Sequence, residues 1–153
     1  MSSATTRLGI IVTLSVIVVA AAFTSAEAKI PEGYRDIKLG MNKSQVLGLL
    51  QQSPLHFSYD DMGDEVGEII RGDDLFRYAM YHFNSEGVLV EIGLEMREIL
   101  GRDRVLKLYN SQHGLKLSPR QAMVDADSSI SVVNNSVIMK KMPPRDTRSA
   151  KRP

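Results

Sequence analysis

A run of nine residues near the middle of the chain alternates strictly between apolar positions and other positions. Val88, Val90, Ile92, Leu94 and Met96 occupy every second place in it. Successive side chains of a β-strand point to opposite faces, so a period of two is typical of a strand with one buried face. The pattern predicts a strand over residues 88–96 and requires a sheet for it to pair with.

The segment before this run supplies the partner strand. Residues 75–83 are rich in aromatic side chains, and the four residues 84–87 (Asn-Ser-Glu-Gly) predict the turn of an antiparallel hairpin. A four-residue loop pairs Phe83 with Val88. This register assigns Leu75, Ala79, Tyr81 and Phe83 to the face of the valine–isoleucine row. It assigns Phe76, Tyr78, Met80, His82 and Leu89 to the opposite face.

This opposite face is more apolar than a solvated sheet face. Either residues 54–74 cover it as a second core, or it meets a partner. The five residues from Phe76 to Leu89 on this face therefore form the candidate partner-binding face. A bulge in the hairpin would exchange the two faces, because a shift of one residue moves every side chain to the other side.

Two helices are predicted, one on each side of this hairpin. The first covers residues 42–52, where Asn42 and Gln45 have capping-box spacing ahead of an apolar stripe. The second covers residues 103–113, with Asp103 as its N-cap. Both are short enough to require packing against the sheet.

Further strands complete the predicted fold. A second hairpin over residues 129–140 turns on Asn134-Asn135, residue types that tolerate the positive φ of a type I′ turn. Short strands at residues 65–70 and 121–124 are also possible. The predicted fold class is α+β, with two helices packed on one face of an antiparallel sheet of about four to five strands. Residues 29–142 form this single domain.

The N-terminus has the three-part order of a secretory signal peptide. Arg7 precedes a sixteen-residue, mostly apolar run, and small residues follow, with Ala26 and Ala28 at the −3 and −1 positions of a cleavage site. Residues 1–28 are therefore predicted to be removed, leaving no stable membrane insertion. The alternative is an uncleaved anchor, for which the apolar run is short, since a bilayer span takes about twenty residues.

Two compositional features limit the possible functions. The chain contains no cysteine, which excludes disulfides, a lipid-modified N-terminal cysteine, a thiol nucleophile and a cysteine zinc site. Beyond Pro143 the sequence is basic and almost free of apolar residues. Residues 143–153 are therefore predicted to be a disordered basic tail. It has no aromatic residue for stacking on bases, so no nucleic-acid partner is predicted.

Acidic residues cluster in the segment between the first helix and the hairpin. They are Asp60, Asp61, Asp64, Glu65 and Glu68, followed by Asp73 and Asp74. Closely spaced carboxylates can bind Ca²⁺, but the alternating ligands and terminal Glu of an EF-hand loop are missing. The cluster is interpreted as a solvated acidic loop. A calcium-dependent or small-ligand carrier remains the alternative function.

No catalytic pattern is present. His56, His82 and His113 lie far apart in sequence, outside any HExxH motif, and no nucleophile elbow accompanies them. His82 and Glu91 are expected to form a surface pair across the hairpin. The Arg71-Gly72-Asp73 tripeptide is interpreted as a turn. Neither an enzymatic activity nor a cofactor is predicted.

The start of the first helix carries a resemblance to known proteins. Residues 39–46 read Leu-Gly-Met-Asn-Lys-Ser-Gln-Val, and Leu49, Leu50 and Pro54 follow. This stretch resembles the opening of the SmpA/OmlA (BamE-like) domains, and similar openings occur in exported bacterial proteins of the β-lactamase-inhibitor-protein-like class. The resemblance implies helices on one face of an antiparallel sheet, and roles in binding other proteins. The expected function is a non-catalytic periplasmic, envelope or secreted module whose partner is another envelope protein.

Overall fold

The computed structural model describes residues 29–52 and 56–143. The predicted signal peptide, with Ala26 and Ala28, lies outside the described residues, as does the predicted basic tail from residue 144 onward. The predictions made for those two segments therefore remain predictions.

The described chain contains nine strands, two α-helices and one 3-10 turn. In chain order these are β1 (Gly33–Tyr34), β2 (Ile37–Lys38), α1 (Lys43–Gln52), β3 (His56–Asp61), β4 (Glu65–Ile70), β5 (Phe76–Phe83), β6 (Leu89–Met96), the 3-10 turn Glu98–Leu100, α2 (Arg102–His113), β7 (Met123–Val124), β8 (Ser128–Val133) and β9 (Ser136–Lys141).

Seven of the strands form one antiparallel sheet. Its order is β3-β4-β5-β6-β9-β8-β7, so β6 is the central strand, and β1 pairs with β2 in a separate two-stranded sheet. Each strand of the large sheet lies beside its neighbour in sequence, apart from the contact between β6 and β9. That contact joins the first four strands to the last three across the 3-10 turn and α2.

The predicted fold class is wrong. The structure has two helices, but it is mostly β, with a seven-stranded sheet and a separate two-stranded sheet in place of one sheet of four to five strands. One source of the error is β3, whose acidic end was interpreted as part of a solvated loop. A strand at the edge of a sheet tolerates charged side chains well, because one of its sides faces water. Charge alone therefore did not exclude a strand there.

A single hydrophobic core lies on one face of the large sheet. Its buried residues come from β1 and β2, both helices, five strands of the large sheet and connecting segments such as the one with Leu115 and Leu117 after α2. The sheet contributes Val66, Ile70, Phe76, Ala79, Tyr81, Phe83, Leu89, Ile92, Leu94, Met96, Ile130, Val132, Val137 and Met139. We call this the inner face, and the opposite side of the seven-stranded sheet the outer face.

Helix α1 begins with the predicted capping box. The backbone N–H of Gln45 donates to Oδ1 of Asn42, and the backbone N–H of Asn42 donates to Oε1 of Gln45, each at 2.9 Å. Two of the donors that a helix start leaves unpaired are thereby satisfied. Val46 and Leu50 are the buried residues of this helix. The capping box is confirmed.

Helix α2 begins one residue earlier than expected, so the prediction of Asp103 as its N-cap is wrong. Gly101 occupies the cap position, no side chain makes a capping bond, and Asp103 lies within the first turn. A carboxylate in a first turn still interacts favourably with the helix dipole. At the other end, Gly114 adopts the left-handed conformation (φ 64°) and closes the helix. Tyr109 packs edge-on against Phe76 of β5, with ring centroids 5.5 Å apart.

The second hairpin forms with a two-residue turn, as expected, but not with a type I′ turn. Val133 pairs with Ser136, and Asn134 has a positive φ of 53°. Asn135 is not among the described residues with a positive φ, whereas a type I′ turn needs a positive φ at both central positions. The Asn135 side chain instead donates to the backbone carbonyl of Met96, at 3.0 Å. This bond connects the turn to the end of β6.

Candidate functional site: the outer face of the sheet

Strand pairing arranges the central part of the outer face in three rows, each crossing β4, β5, β6 and β9 in that order. The first row is Glu65, His82, Glu91 and Lys140; the second is Gly67, Met80, Gly93 and Ile138; the third is Ile69, Tyr78, Glu95 and Ser136. Members of a row are direct cross-strand partners. Because neighbouring strands are about 4.8 Å apart, each row spans about 14 Å.

Three of the five predicted face residues lie on the outer face. Tyr78, Met80 and His82 alternate along β5 with the buried residues Ala79, Tyr81 and Phe83, and each of the three is partly exposed. The described part of the predicted cover, residues 54–74, lies mainly beside them in the sheet, and its Met62 side chain reaches the outer face near Gly67, where Met62 Cε would be 3.4 Å from an added β-carbon. The described part of that segment forms β3 and β4, which extend the sheet sideways.

The assignment of Phe76 and Leu89 to this face is wrong. Both side chains are in the core, with exposed fractions of 2% and 0%. Two irregularities in the β5–β6 ladder account for this. Phe83 pairs with Leu89 while His82 pairs with Glu91, so Val90 is an extra residue on β6.

The second irregularity lies at the other end of the same ladder. Phe76 pairs with Met96 and Tyr78 with Glu95, which makes Arg77 the extra residue on β5. A bulge changes the side of the sheet to which the neighbouring residues point. The expected pairing of Phe83 with Val88 is replaced by an isolated bridge between Val88 and Asn42. The strict alternation over residues 88–96 therefore holds only from Glu91 onward.

The first row is a continuous set of polar contacts. His82 Nδ1 lies 3.0 Å from Glu65 Oε1, and His82 Nε2 lies 3.9 Å from Glu91 Oε1. Lys140 Nζ lies 2.7 Å from Glu91 Oε2. The expected pairing of His82 with Glu91 is present as a direct cross-strand contact, and Glu65 and Lys140 extend it on both sides. Hydrogen-bond donors and acceptors therefore alternate along this row.

The second and third rows contain the apolar side chains of the outer face, together with two glycines. Gly67 and Gly93 contribute no side chains, and neighbouring residues lie over them. A β-carbon at Gly67 would come within 2.0 Å of the Tyr78 hydroxyl, and one at Gly93 within 3.3 Å of Ile138 Cδ1. Ile69 is 52% exposed at the edge of this surface. Partial burial, followed by the charge of Asp60, raises the pKa of Tyr78, so its hydroxyl stays a neutral donor.

The acidic residues that suggested calcium are placed in different environments. Asp61 lies at the end of β3, where its Oδ1 accepts from Lys43 Nζ at 2.5 Å and from the backbone N–H of Gly63 at 3.1 Å. The bond from Lys43 is the main cause that lowers the pKa of Asp61. Glu65 is on the outer face, whereas Glu68 is fully buried on the inner face and accepts from the Tyr81 hydroxyl at 2.6 Å. Over residues 29–52 and 56–143, no group of three or more His, Asp or Glu side chains could hold a metal ion.

We expect the melting temperature of the protein to be the same in millimolar calcium and in chelator. A ligand bound at a hundredfold excess over its Kd would add about 2.7 kcal/mol to the free energy of unfolding, which raises the melting temperature by several degrees. Differential scanning calorimetry in the two buffers measures this. A rise of several degrees that Asp60→Ala or Asp64→Ala removes would favour the calcium-dependent carrier.

A cleft of about 300 Å³ lies at the other side of the molecule, between the turn after β4, the turn after β1 and the C-terminal end of α2. Gly72 and Asp73 of the Arg71-Gly72-Asp73 tripeptide line it. Asp73 Oδ1 accepts from the backbone N–H groups of Leu75 (2.8 Å) and Phe76 (3.0 Å), and its Oδ2 accepts from the Tyr34 hydroxyl (2.8 Å). The Asp73 carboxylate is therefore occupied in holding the turn, which agrees with the interpretation of this tripeptide as structural.

The two histidines whose side chains are described, His82 and His113, lie in different environments. His113 lies in the cleft with its ring centroid 4.4 Å from that of Tyr109, and burial lowers its pKa. His82 belongs to the polar row of the outer face. Among the described contacts, neither histidine is hydrogen-bonded both to a nucleophilic side chain and to a carboxylate, as the histidine of a catalytic triad is.

Sequence reasoning missed the members of the outer face that β4 and β9 contribute: Glu65, Gly67, Ile69, Ser136, Ile138 and Lys140. The last two carried a usable signal, because Val137 and Met139 alternate with them in a short strand. Their position opposite β6 depends on the pairing of β6 with β9, which a sequence pattern of period two does not specify.

Comparisons with known proteins found no match to the chain among family models, curated proteins or solved structures. Among the helices of the described residues, none has both the length and the apolar character needed to cross a membrane.

Proposed function

We propose that this chain is a non-catalytic protein-binding module of the periplasm or envelope, or a secreted one, and that it binds its partner, an exported protein, through the outer face. Export is supported by the signal-peptide pattern of residues 1–28. The resemblance of residues 39–46 to the opening of BamE-like domains favours a binding role over catalysis.

The observation that carries the proposal is the composition of the outer face. An apolar surface built from Tyr78, Met80, Ile138 and Ile69 lies beside a row of alternating charges, and all four apolar side chains retain contact with solvent. Protein interfaces commonly combine an apolar centre that includes Tyr and Met with a polar rim. Contiguous exposed apolar surface of this kind marks interaction sites in soluble proteins.

Tyr78→Ala and Met80→Ala are expected to weaken partner binding by about tenfold or more each, because anchors in an interface cost more than 1 kcal/mol when truncated. Their effect on the free energy of unfolding should be about 1 kcal/mol or less, since both side chains are partly exposed. The partner is captured from the envelope fraction with the wild-type protein and identified by mass spectrometry. Its affinity for each variant is then measured by calorimetry.

Leu108→Ala is the matched control, because Leu108 is an apolar residue on α2 that is 41% exposed. This variant should bind the partner as the wild type does. The proposal is contradicted if Tyr78→Ala and Met80→Ala also bind normally, or if Leu108→Ala is as damaging as they are.

A further inference from the structure

We infer that the partner on the outer face is a second copy of this chain, related to the first by a two-fold axis that runs along the strand direction between β5 and β6. The inference rests on the proposed function, because it names the partner of the same face. It is carried by the pattern of charges and side-chain sizes across the three rows.

The polar row is complementary to itself when it is reversed. A two-fold axis between β5 and β6, lying in the plane between the two sheets, places each β4 position opposite a β9 position of the other copy, and each β5 position opposite a β6 position. Glu65 then faces Lys140 of the second copy, and His82 faces Glu91 of the second copy. Each contact occurs twice, as in every isologous interface. No like charges meet.

The same axis matches the two apolar rows. Met80 faces Gly93 of the second copy, and Tyr78 faces Glu95, to whose carboxylate its neutral hydroxyl can donate. Ile69 faces the small side chain of Ser136. Met80 and Ile69 therefore lie opposite small residues, which lets side chains of two stacked sheets interdigitate at the usual separation of about 10 Å.

A second way of stacking two copies fails the same test. A two-fold axis perpendicular to the strands, at the level of Met80, would exchange the first and third rows within each strand. Glu91 would then face Glu95 of the second copy, and Lys140 would face Ser136. Like charges opposed across an interface are costly, so this arrangement is disfavoured. The axis along the strands is thus selected by charge.

The decisive experiment uses charge reversal at the two ends of the polar row. Protein recovered from cells that express the full chain is studied by sedimentation equilibrium at micromolar concentration. The wild type should have twice the monomer mass. Glu65→Lys places two lysines opposite each other and Lys140→Glu places two glutamates opposite each other, so each should weaken the dimer by about tenfold or more.

Mixing the two single variants provides the specific prediction. In the mixed dimer, the new lysine at position 65 faces the new glutamate at position 140, and the native Lys140 faces the native Glu65. The mixture should therefore dimerise more tightly than either variant does alone. Glu86→Lys, which makes the same charge change in the exposed turn between β5 and β6, is the matched control and should leave the dimer intact.

A second measurement needs no variant. A zero-length carbodiimide reagent joins a carboxylate to a contacting amine, so an equal mixture of isotopically labelled and unlabelled wild-type chains should yield a mixed cross-link between Glu65 and Lys140. A monomeric wild type, a dimer that both charge reversals leave unchanged, or a cross-link found only within one chain would each overturn the inference. If the protein is monomeric but Tyr78→Ala and Met80→Ala still abolish capture of a different exported protein, the proposed function stands and the inference fails.

Discussion

Replacing Ile92 by alanine is expected to lower the free energy of unfolding by about 2–5 kcal/mol, the usual range for truncating a buried aliphatic side chain. Ile92 has no exposed surface and lies on β6, the central strand of the sheet. Its direct neighbours are Tyr81 on one side and Met139 on the other, both equally buried. The surroundings are held by strands on both sides, so they cannot collapse to fill the space. Urea unfolding followed by circular dichroism measures the change.

Met80→Ala is the comparison, because Met80 lies on the next strand and points to the other face. It should cost about 1 kcal/mol or less. Equal losses from Ile92→Ala and Met80→Ala would mean that the outer face is a second core. A harmless Ile92→Ala with a strongly destabilising Met80→Ala would mean that the two faces are exchanged.

The second large effect is expected at high pH. Burial is the main cause that raises the pKa of Tyr34, Tyr81 and Tyr109 above the usual value of 10.0. The Asp73 and Glu68 carboxyls strengthen the effect for Tyr34 and Tyr81, respectively. Tyrosine in the unfolded chain ionises at about pH 10. As the pH rises through this value, the unfolded chain loses protons that the folded protein retains, so stability is complete below about pH 10 and is lost above it.

Each of the three tyrosines should lower the free energy of unfolding by about 1.4 kcal/mol for every pH unit above its unfolded pKa. Urea unfolding between about pH 9 and about pH 11 measures the combined slope. Tyr109→Phe should reduce that slope by about 1.4 kcal/mol per pH unit, because the ring remains and only the ionisable hydroxyl is lost. A wild type whose stability does not change over this range would contradict the burial of these hydroxyls.

The elements that sequence reasoning found are those whose signals are local. The capping box of α1 needs only the three-residue spacing of Asn42 and Gln45, and the alternating segment from Ile92 to Met96 needs only its own period. Both appear where the sequence places them. A signal that lies within a few residues is read without any knowledge of the partner strands.

The errors depend on contacts between distant segments. The bulges at Arg77 and Val90 place Phe76 and Leu89 in the core, and each is set by how β5 fits β6 along its whole length. Sequence reasoning also failed at Glu68. A charged residue in an acidic segment is expected to face solvent, whereas Glu68 is fully buried. Its position is made possible by the hydroxyl of Tyr81, thirteen residues later in the chain. The assignment to the outer side of the sheet was therefore correct at Tyr78, Met80 and His82 and wrong at Phe76 and Leu89.

The bond between Glu68 and Tyr81 also has a consequence for how the sheet assembles. Glu68 pairs with Ala79 while Tyr81 pairs with Val66, so the two side chains meet diagonally in the native alignment of β4 on β5. A slip by one residue would move Glu68 to the outer face and carry the buried Val66 and Ile70 out of the core. A slip by two residues that brings Glu68 opposite Arg77 would separate the carboxyl from the hydroxyl while keeping it in the core. Either mispairing loses a hydrogen bond or apolar burial. We expect the hydrogen bond between Glu68 and Tyr81 to stabilise the native alignment of β4 on β5 relative to these shifted alignments while the chain folds.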